Sequence, residues 1–353
     1  MTLTSLLFCC LLSVFSPSYD ASSWMTMLED TLPVSALSIP GAHDAATGEG
    51  MRSFPLLGTT QTLGLRGQWE SGVRAFDLRP AVCDTTLHVY HGSLRTKVSF
   101  AQALDTICAM LDTYPGEMAV VLLREESDSQ DDAEHALWPK LVGNAIARLG
   151  NRAALFTPDM TLGEARGKIL FISRNAYEGT DKGAFVSGWS HSADGTCSAR
   201  IRSCRYNTVA PLQMQDYYAP TNKDKRDAKL KAVKRYLALA EEAPAGVWTI
   251  NFLSGYSSTL LGIKGIATTA GYKRNAAWLH PWVQEAISSV QGGGKRPLGI
   301  LFMDFVGEDR VGGSLSDWHT HDVCGASLVH EIVKSNFNRV QMTDDRVQST
   351  DDR

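Results

Sequence analysis

Residues 118–123 read MAVVLL, six apolar side chains in succession. Such a run fits a strand covered on both faces, as parallel strands packed under helices are. Residues 168–172 (KILFI), 246–252 (GVWTINF) and 298–305 (LGILFMDF) have the same character, and 34–39, 73–78 and 87–90 are shorter strand candidates. Helical spacing fills the intervals. Phe100, Leu104, Ile107 and Leu111 share one face of 99–112, and Leu230, Val233 and Leu237 share one face of 227–242. Residues 275–290 and 327–337 behave similarly. Strands alternating with helices over most of the 353 residues predict an α/β fold, a single distorted (β/α)8 barrel of parallel strands.

No Gly- or Pro-rich linker divides the chain; Gly292, Gly293 and Gly294 make a tight loop before the last strand. Hydrophobic residues at 44% and charged residues at 20% suit a globular protein with a full core. A formal net charge of -4 lacks the basic excess of nucleic-acid binders and gives no purely electrostatic grip on an anionic membrane. Residues 3–16 (LTSLLFCCLLSVFS) are apolar, shorter than the ~20 residues of a membrane span, and are followed by the small, turn-forming residues of 16–22. The expected division is a signal peptide over 1–22, a catalytic barrel over 23–340 and a polar, disordered tail over 341–353. Removal of the leader takes Cys9 and Cys10 with it and implies a secreted, extracellular protein. Of the other five cysteines, Cys197 and Cys204 flank a polar loop and could pair, and the odd count leaves at least one thiol over.

Four strand candidates end in polar residues that a strand does not need: His43 and Asp44 after 34–39, Asp77 and Arg79 around 73–78, His91 after 87–90, and Asp304 in the last. Functional residues of parallel barrels sit at the C-terminal ends of strands and in the loops that follow. Each is weak by itself, since a lone loop histidine is more often structural. Together, two histidines can share acid and base roles. An arginine offers a planar fork to phosphate oxygens, and an aspartate can orient a histidine and stabilise its charged form. The set suits cleavage of a phosphodiester by an internal hydroxyl. His88 points away from His91's surroundings on this reading. His319 and His321 belong to a surface loop, and Trp248 belongs to the core.

The strings IPGAHDAATG (39–48), GVRAFDLRP (72–80), HVYHGSL (88–94) and LGILFMDF (298–305) resemble, in order and spacing, the X-domain of bacterial phosphatidylinositol-specific phospholipase C. The resemblance covers about residues 24–338. It implies that His43 is the general base with Asp304 behind it, that His91 is the general acid with Asp44 as its partner, and that Arg79 neutralises the phosphate. It further implies that Arg174, Asp216 and Tyr218 bind the inositol ring, and that Arg124 stands where bacterial members often carry a lysine. Asp77 has no assigned role beyond bracing Arg79. The implied enzyme is a phosphatidylinositol diacylglycerol-lyase that uses no cofactor or metal. It acts as a monomer on phosphatidylinositol in membranes, with anchors of GPI-anchored proteins as a further candidate substrate. In the calcium-dependent branch of the superfamily a carboxylate stands where this chain has Arg79, so the arginine argues against a metal. Two rival readings remain: a metal-dependent phosphodiesterase on the same barrel, and an inositol-lipid or glycan binding module without turnover.

Overall fold

The computed structural model describes residues 19–126, 130–192, 198–256, 259–260, 263–264, 268–290, 297–313 and 318–348. Most of the expected leader, Cys197 and residues 349–353 lie outside these. Among the described residues, nine strands close a barrel: β1 (Ser38–Ala42), β2 (Ala75–Leu78), β6 (Ala119–Leu123), β7 (Ile169–Ser173), β8 (Ala184–Ser187), β9 (Arg200–Ser203), β10 (Val209–Gln215), β11 (Trp248–Phe252) and β14 (Gly299–Met303). Beside it lies a three-stranded antiparallel sheet of β3 (Pro80–Cys83), β4 (Thr86–His91) and β5 (Leu94–Ser99). Two small ribbons, β12 (Thr259–Leu260) with β13 (Ile263–Lys264) and β15 (Arg310–Val311) with β16 (His321–Asp322), complete the strands. The helices are α1 (Pro55–Gly58), α2 (Leu65–Glu70), α3 (Phe100–Thr113), α4 (Asp132–Arg148), α5 (Leu162–Ala165), α6 (Lys223–Glu242), α7 (Thr269–Val290) and α8 (Gly325–Gln348). None of the described helices is long and apolar enough to cross a membrane.

The expected alternation is realised. Every residue of β1, β2, β6, β7, β11 and β14 is buried, which accounts for their unbroken apolar runs. Phe252 and Phe302 stack inside the barrel with centroids 4.9 Å apart, so it is filled rather than hollow. Helix α3 begins with a capping box between Ser99 and Gln102, α4 with one between Asp131 and Glu134.

Three expectations need correction. The strands are not all parallel: β9 pairs antiparallel with both β8 and β10. Arg200-Ile201-Arg202-Ser203 alternates exposed and buried, the pattern of a strand wet on one face, and Asn207 takes the left-handed backbone (φ 54°) in the turn to β10. The strand over 87–90 is not in the barrel but is the middle strand of the side sheet. Residues 34–36 form a 3-10 turn, with β1 starting at Ser38. Cys204 is a free thiol, 3.5 Å from the Tyr177 hydroxyl, as are Cys83, Cys108 and Cys324.

The described structure continues past both expected ends of the catalytic barrel. Tyr19 stacks on Phe337, Asp20 caps the 3-10 turn Ala21–Met27, and the carbonyls of Ala21 and Ser22 accept from Arg74. These contacts tie residues 19–22 to the base of the barrel. Helix α8 continues to Gln348, past the expected boundary at residue 340.

Candidate active site

Strand register assembles the site. Ala42 of β1 pairs with Met303 of β14, so the next residues, His43 and Asp304, leave the barrel side by side. Leu78 pairs with Leu123, and Leu123 with Ser173. Arg79, Arg124 and Arg174 therefore follow β2, β6 and β7 at one level around the mouth. Asp216 follows β10, whose Gln215 pairs with Asn251 of β11. His91 arrives by another route. The chain runs from β2 almost directly into β3, and the β4–β5 hairpin closes through Gly92 (φ 59°) and Ser93, with His91 at its tip.

His43 Nδ1 lies 2.8 Å from Asp304 Oδ1, and its Nε2 lies 3.1 Å from Asp44 Oδ2. The same Asp44 oxygen is 3.4 Å from His91 Nε2. Asp44 thus stands between the two imidazoles, whose centroids are 6.4 Å apart. It adopts the left-handed backbone (φ 45°), which aspartate tolerates better than most residues, and the chain turns there out of β1. Arg79 Nε is 2.9 Å from Asp44 Oδ1, and its Nη2 donates to Asp77 Oδ2 at 2.8 Å. Nη1 lies 3.8 Å from Glu126. Asp77 therefore braces Arg79. The Phe252 ring meets the His43 ring edge to face at 6.1 Å.

Burial sets the electrostatics. It pushes His43 well below the ordinary imidazole range, with Arg79 and His91 adding to the shift. It raises Asp44 to about 6 against the opposing pull of Arg79. Asp304 is also raised, by burial and by Asp44. Burial alone would lower Arg79, but Asp44, Asp77 and Glu126 outweigh it and hold the guanidinium firmly charged. A neutral His43 with Nδ1–H on Asp304 keeps its lone pair on Nε2, the arrangement a general base needs.

The cavity over these groups encloses about 240 Å³ and is lined by His43, Arg79, His91, Arg124, Asp216 and Tyr218, among others. Arg174 stands behind the lining, stacked on Trp189 at 4.1 Å and 3.5 Å from Asp216. Trp189 Nε1 donates to Asp216 at 2.9 Å, and His191 Nδ1 lies 3.1 Å from it. Burial would raise Asp216, but His191 and Arg174 outweigh it and lower its pKa. Tyr218 is 44% exposed at the rim, and Tyr218, Tyr256 and Tyr272 step inward with successive centroids 6.2 Å apart. Arg124 pairs with Glu126 at 3.5 Å. Six of the nine expected residues thus line one cavity, and Asp44, Asp304 and Arg174 stand behind them in contact with His43 or Asp216.

Sequence reasoning missed Glu126, Trp189, His191, Lys229 and Tyr272. Lys229 is fully buried in α6 and donates to the Phe252 carbonyl at 2.5 Å; burial lowers its pKa to about 7. A lysine on the apolar face of that helical pattern was the available signal. Tyr272, in α7, carries no local signal. His88 contacts Arg95 at 2.8 Å, away from the cavity, and Trp248 is core, both as expected. His321 lies in the β16 strand of a ribbon, half-buried, rather than in the expected surface loop, while Trp318 nearby is 81% exposed.

Among the described residues, His43, Asp44 and Asp77 have the spacing of a metal site. Two of the three are already ion-paired with Arg79, which would repel a divalent cation.

No family model matches the chain. It is 28% identical over 292 residues to the 1-phosphatidylinositol phosphodiesterase of Listeria monocytogenes, covering 82% of each chain. The enzyme of that name from Staphylococcus aureus is 28% identical over 332 residues, 91% of this chain and 96% of the relative. A solved double mutant of the S. aureus phosphatidylinositol-specific phospholipase C superposes with a TM-score of 0.68 at 26% identity, covering 90% of this chain and 97% of that one. Over most of its length the chain is similar, in sequence and in fold, to bacterial phosphatidylinositol-specific phospholipases C. Another S. aureus structure, with a TM-score of 0.68 at 25% identity, is described by the modulation of that enzyme's membrane binding. The α/β barrel expected from the sequence is the fold of these relatives.

Proposed function

We propose that this protein cleaves phosphatidylinositol into diacylglycerol and inositol 1,2-cyclic phosphate. The observation that carries this reading is the pair of histidines sharing Asp44 beneath a cavity floored by Arg79. His43 Nε2 removes the proton of the inositol 2-hydroxyl as that oxygen attacks phosphorus. The bond from phosphorus to the diacylglycerol oxygen breaks, and His91 Nε2 delivers a proton to that oxygen. Attack within one ring needs little loss of freedom. Arg79 meets the negative charge growing on the non-bridging oxygens, in a place from which it need not move. Asp216 and Arg124 hold ring hydroxyls, Arg174 and Trp189 hold Asp216 in place, and Tyr218 offers the ring a flat face.

On this reading the reaction needs no metal, because Arg79 supplies the positive charge. The substrate is met at a membrane surface, and glycosylated phosphatidylinositol anchors present the same phosphodiester and the same hydroxyl. Export fits this substrate, with leader removal ahead of Tyr19, since a cut after residue 22 would strip away the contacts of residues 19–22 with α8 and Arg74.

The test is diacylglycerol release from phosphatidylinositol micelles by the wild type and by H43A and H91A. Each variant should lose about 10²–10⁴-fold in kcat. Wild-type rates in both variants would remove the histidines from the chemistry. Binding without release by the wild type would favour a binding module.

A further inference from the structure

We propose that Tyr272 is the positioning residue of the proton donor, its hydroxyl fixing the Nε2 edge of His91 through which the proton leaves. The inference rests on His91 acting as the general acid. The Tyr272 hydroxyl lies 3.1 Å from His91 Nε2. On the other side of the ring, His91 Nδ1 is 2.7 Å from the Gly58 carbonyl oxygen. A carbonyl oxygen only accepts, so Nδ1 carries a hydrogen in both charge states of the ring. In the neutral ring Nε2 is then a bare lone pair, and the Tyr272 hydroxyl is the donor that meets it. Asp44 Oδ2, at 3.4 Å, does not donate when ionised.

The surroundings keep this hydroxyl protonated. Tyr272 is only 4% exposed, and burial together with Asp44 and Asp304 drives its pKa upward. Its ring packs against both imidazoles, with centroids 5.6 Å from His91 and 6.2 Å from His43. When His91 is charged, Nε2–H points into the cavity between Asp44 and Tyr272, toward the leaving oxygen. The proton passes from Nε2 to that oxygen as the phosphorus–oxygen bond breaks, and the freed lone pair accepts the Tyr272 O–H. The tyrosine keeps its own proton throughout. The hydrogen bond stabilises the spent form of the acid, so it assists most where proton delivery is most needed.

That dependence is the test. Y272F is compared with the wild type on two substrates: phosphatidylinositol, which leaves as a poor alkoxide, and a 4-nitrophenyl ester of inositol 1-phosphate, which leaves as a stable phenolate. H91A serves as the reference for loss of the acid. On phosphatidylinositol, Y272F should lower kcat by about 10-fold or more, the worth of roughly one hydrogen bond to a charged or reacting group, with KM within about 2-fold. On the aryl ester the loss should stay below about 3-fold. Equal losses on both substrates would reduce Tyr272 to a packing residue, and no loss on either would remove it from the reaction. A wild type that cleaves neither substrate would overturn the proposed function itself, and this inference with it. A second measurement needs no variant: nitrogen-15 NMR of the wild-type histidines. Neutral His91 should carry its proton on Nδ1, and a proton on Nε2 would contradict the arrangement.

Discussion

Arg79 is held by Asp44, Asp77 and Glu126 at once, a geometry that a guanidinium fork can satisfy and a single ammonium cannot. R79K should therefore lower kcat about 10²–10³-fold, the usual cost of losing a preorganised donor to a developing anion, with a much smaller change in KM. Steady-state kinetics on phosphatidylinositol micelles check this, and near-wild-type kcat in R79K would show that any positive charge suffices. The histidines make a second prediction. The proposed reaction uses His43 as a neutral base, and burial lowers its pKa, so the neutral form persists below the ordinary imidazole value of about 6.5. Asp44, raised to about 6, ionises in the same region. The acid limb of kcat/KM should lie below pH ~6.5; a limb above it would mean that a less buried group governs the reaction. At this scale the sequence was most legible where chemistry follows a strand end. His43, Asp44, Arg79 and Asp304 stand in short strings that no strand requires for packing. Tyr272 and His191 reach the same cavity from a helix and a loop, and nothing in their local sequence tells them apart from packing or surface residues.

Among the elements, β1 has the tightest role. Gly41, one turn of the pleat before His43, lets β1 lie against the Phe302 ring: a Cβ there would come within 2.8 Å of Phe302 Cδ1 and 3.2 Å of the Ala75 Cβ. Phe302 cannot yield freely, because it stacks on Phe252, which in turn meets His43. G41A should destabilise the protein by about 1–3 kcal/mol, as overpacked cores do, and should lower kcat as well. Denaturant unfolding together with kinetics tests both, and unchanged stability would mean that the phenylalanine pair is looser than its packing implies. The buried parallel strands were readable because strands covered on both faces are apolar throughout. Strands β8 to β10 were not, since short segments alternating between a wet and a dry face look like loops in a polar stretch. The hairpin carrying His91 was read as a barrel strand because an apolar run does not reveal which sheet it joins.

For the whole molecule, the base of the barrel is closed by a buried ion pair. Arg74 Nε lies 2.8 Å from Glu117 Oε2, the guanidinium packs 4.0 Å over the Trp69 ring, and Glu117 accepts the backbone N–H groups of Met25 and Thr26. Through these contacts the segment from Tyr19 to Met27 belongs to the fold. Removing one partner leaves the other charge buried, so E117A should cost about 3–5 kcal/mol in urea unfolding while kcat at 25 °C stays near wild type, the site being at the other end of the barrel. A loss under 1 kcal/mol would mean that water replaces the carboxylate. Nothing local marks this pair, because Arg74 and Glu117 are 43 residues apart and each falls beside an apolar strand. At the mouth, the proposed reaction gives Arg79 the work that a metal does elsewhere. Phosphorus-31 NMR of the purified protein with phosphatidylinositol micelles and excess EDTA tests it most directly. The five-membered cyclic phosphodiester should appear at the rate seen without chelator, whereas turnover that stops with EDTA and returns with calcium or magnesium would show that Arg79 does not replace a cation.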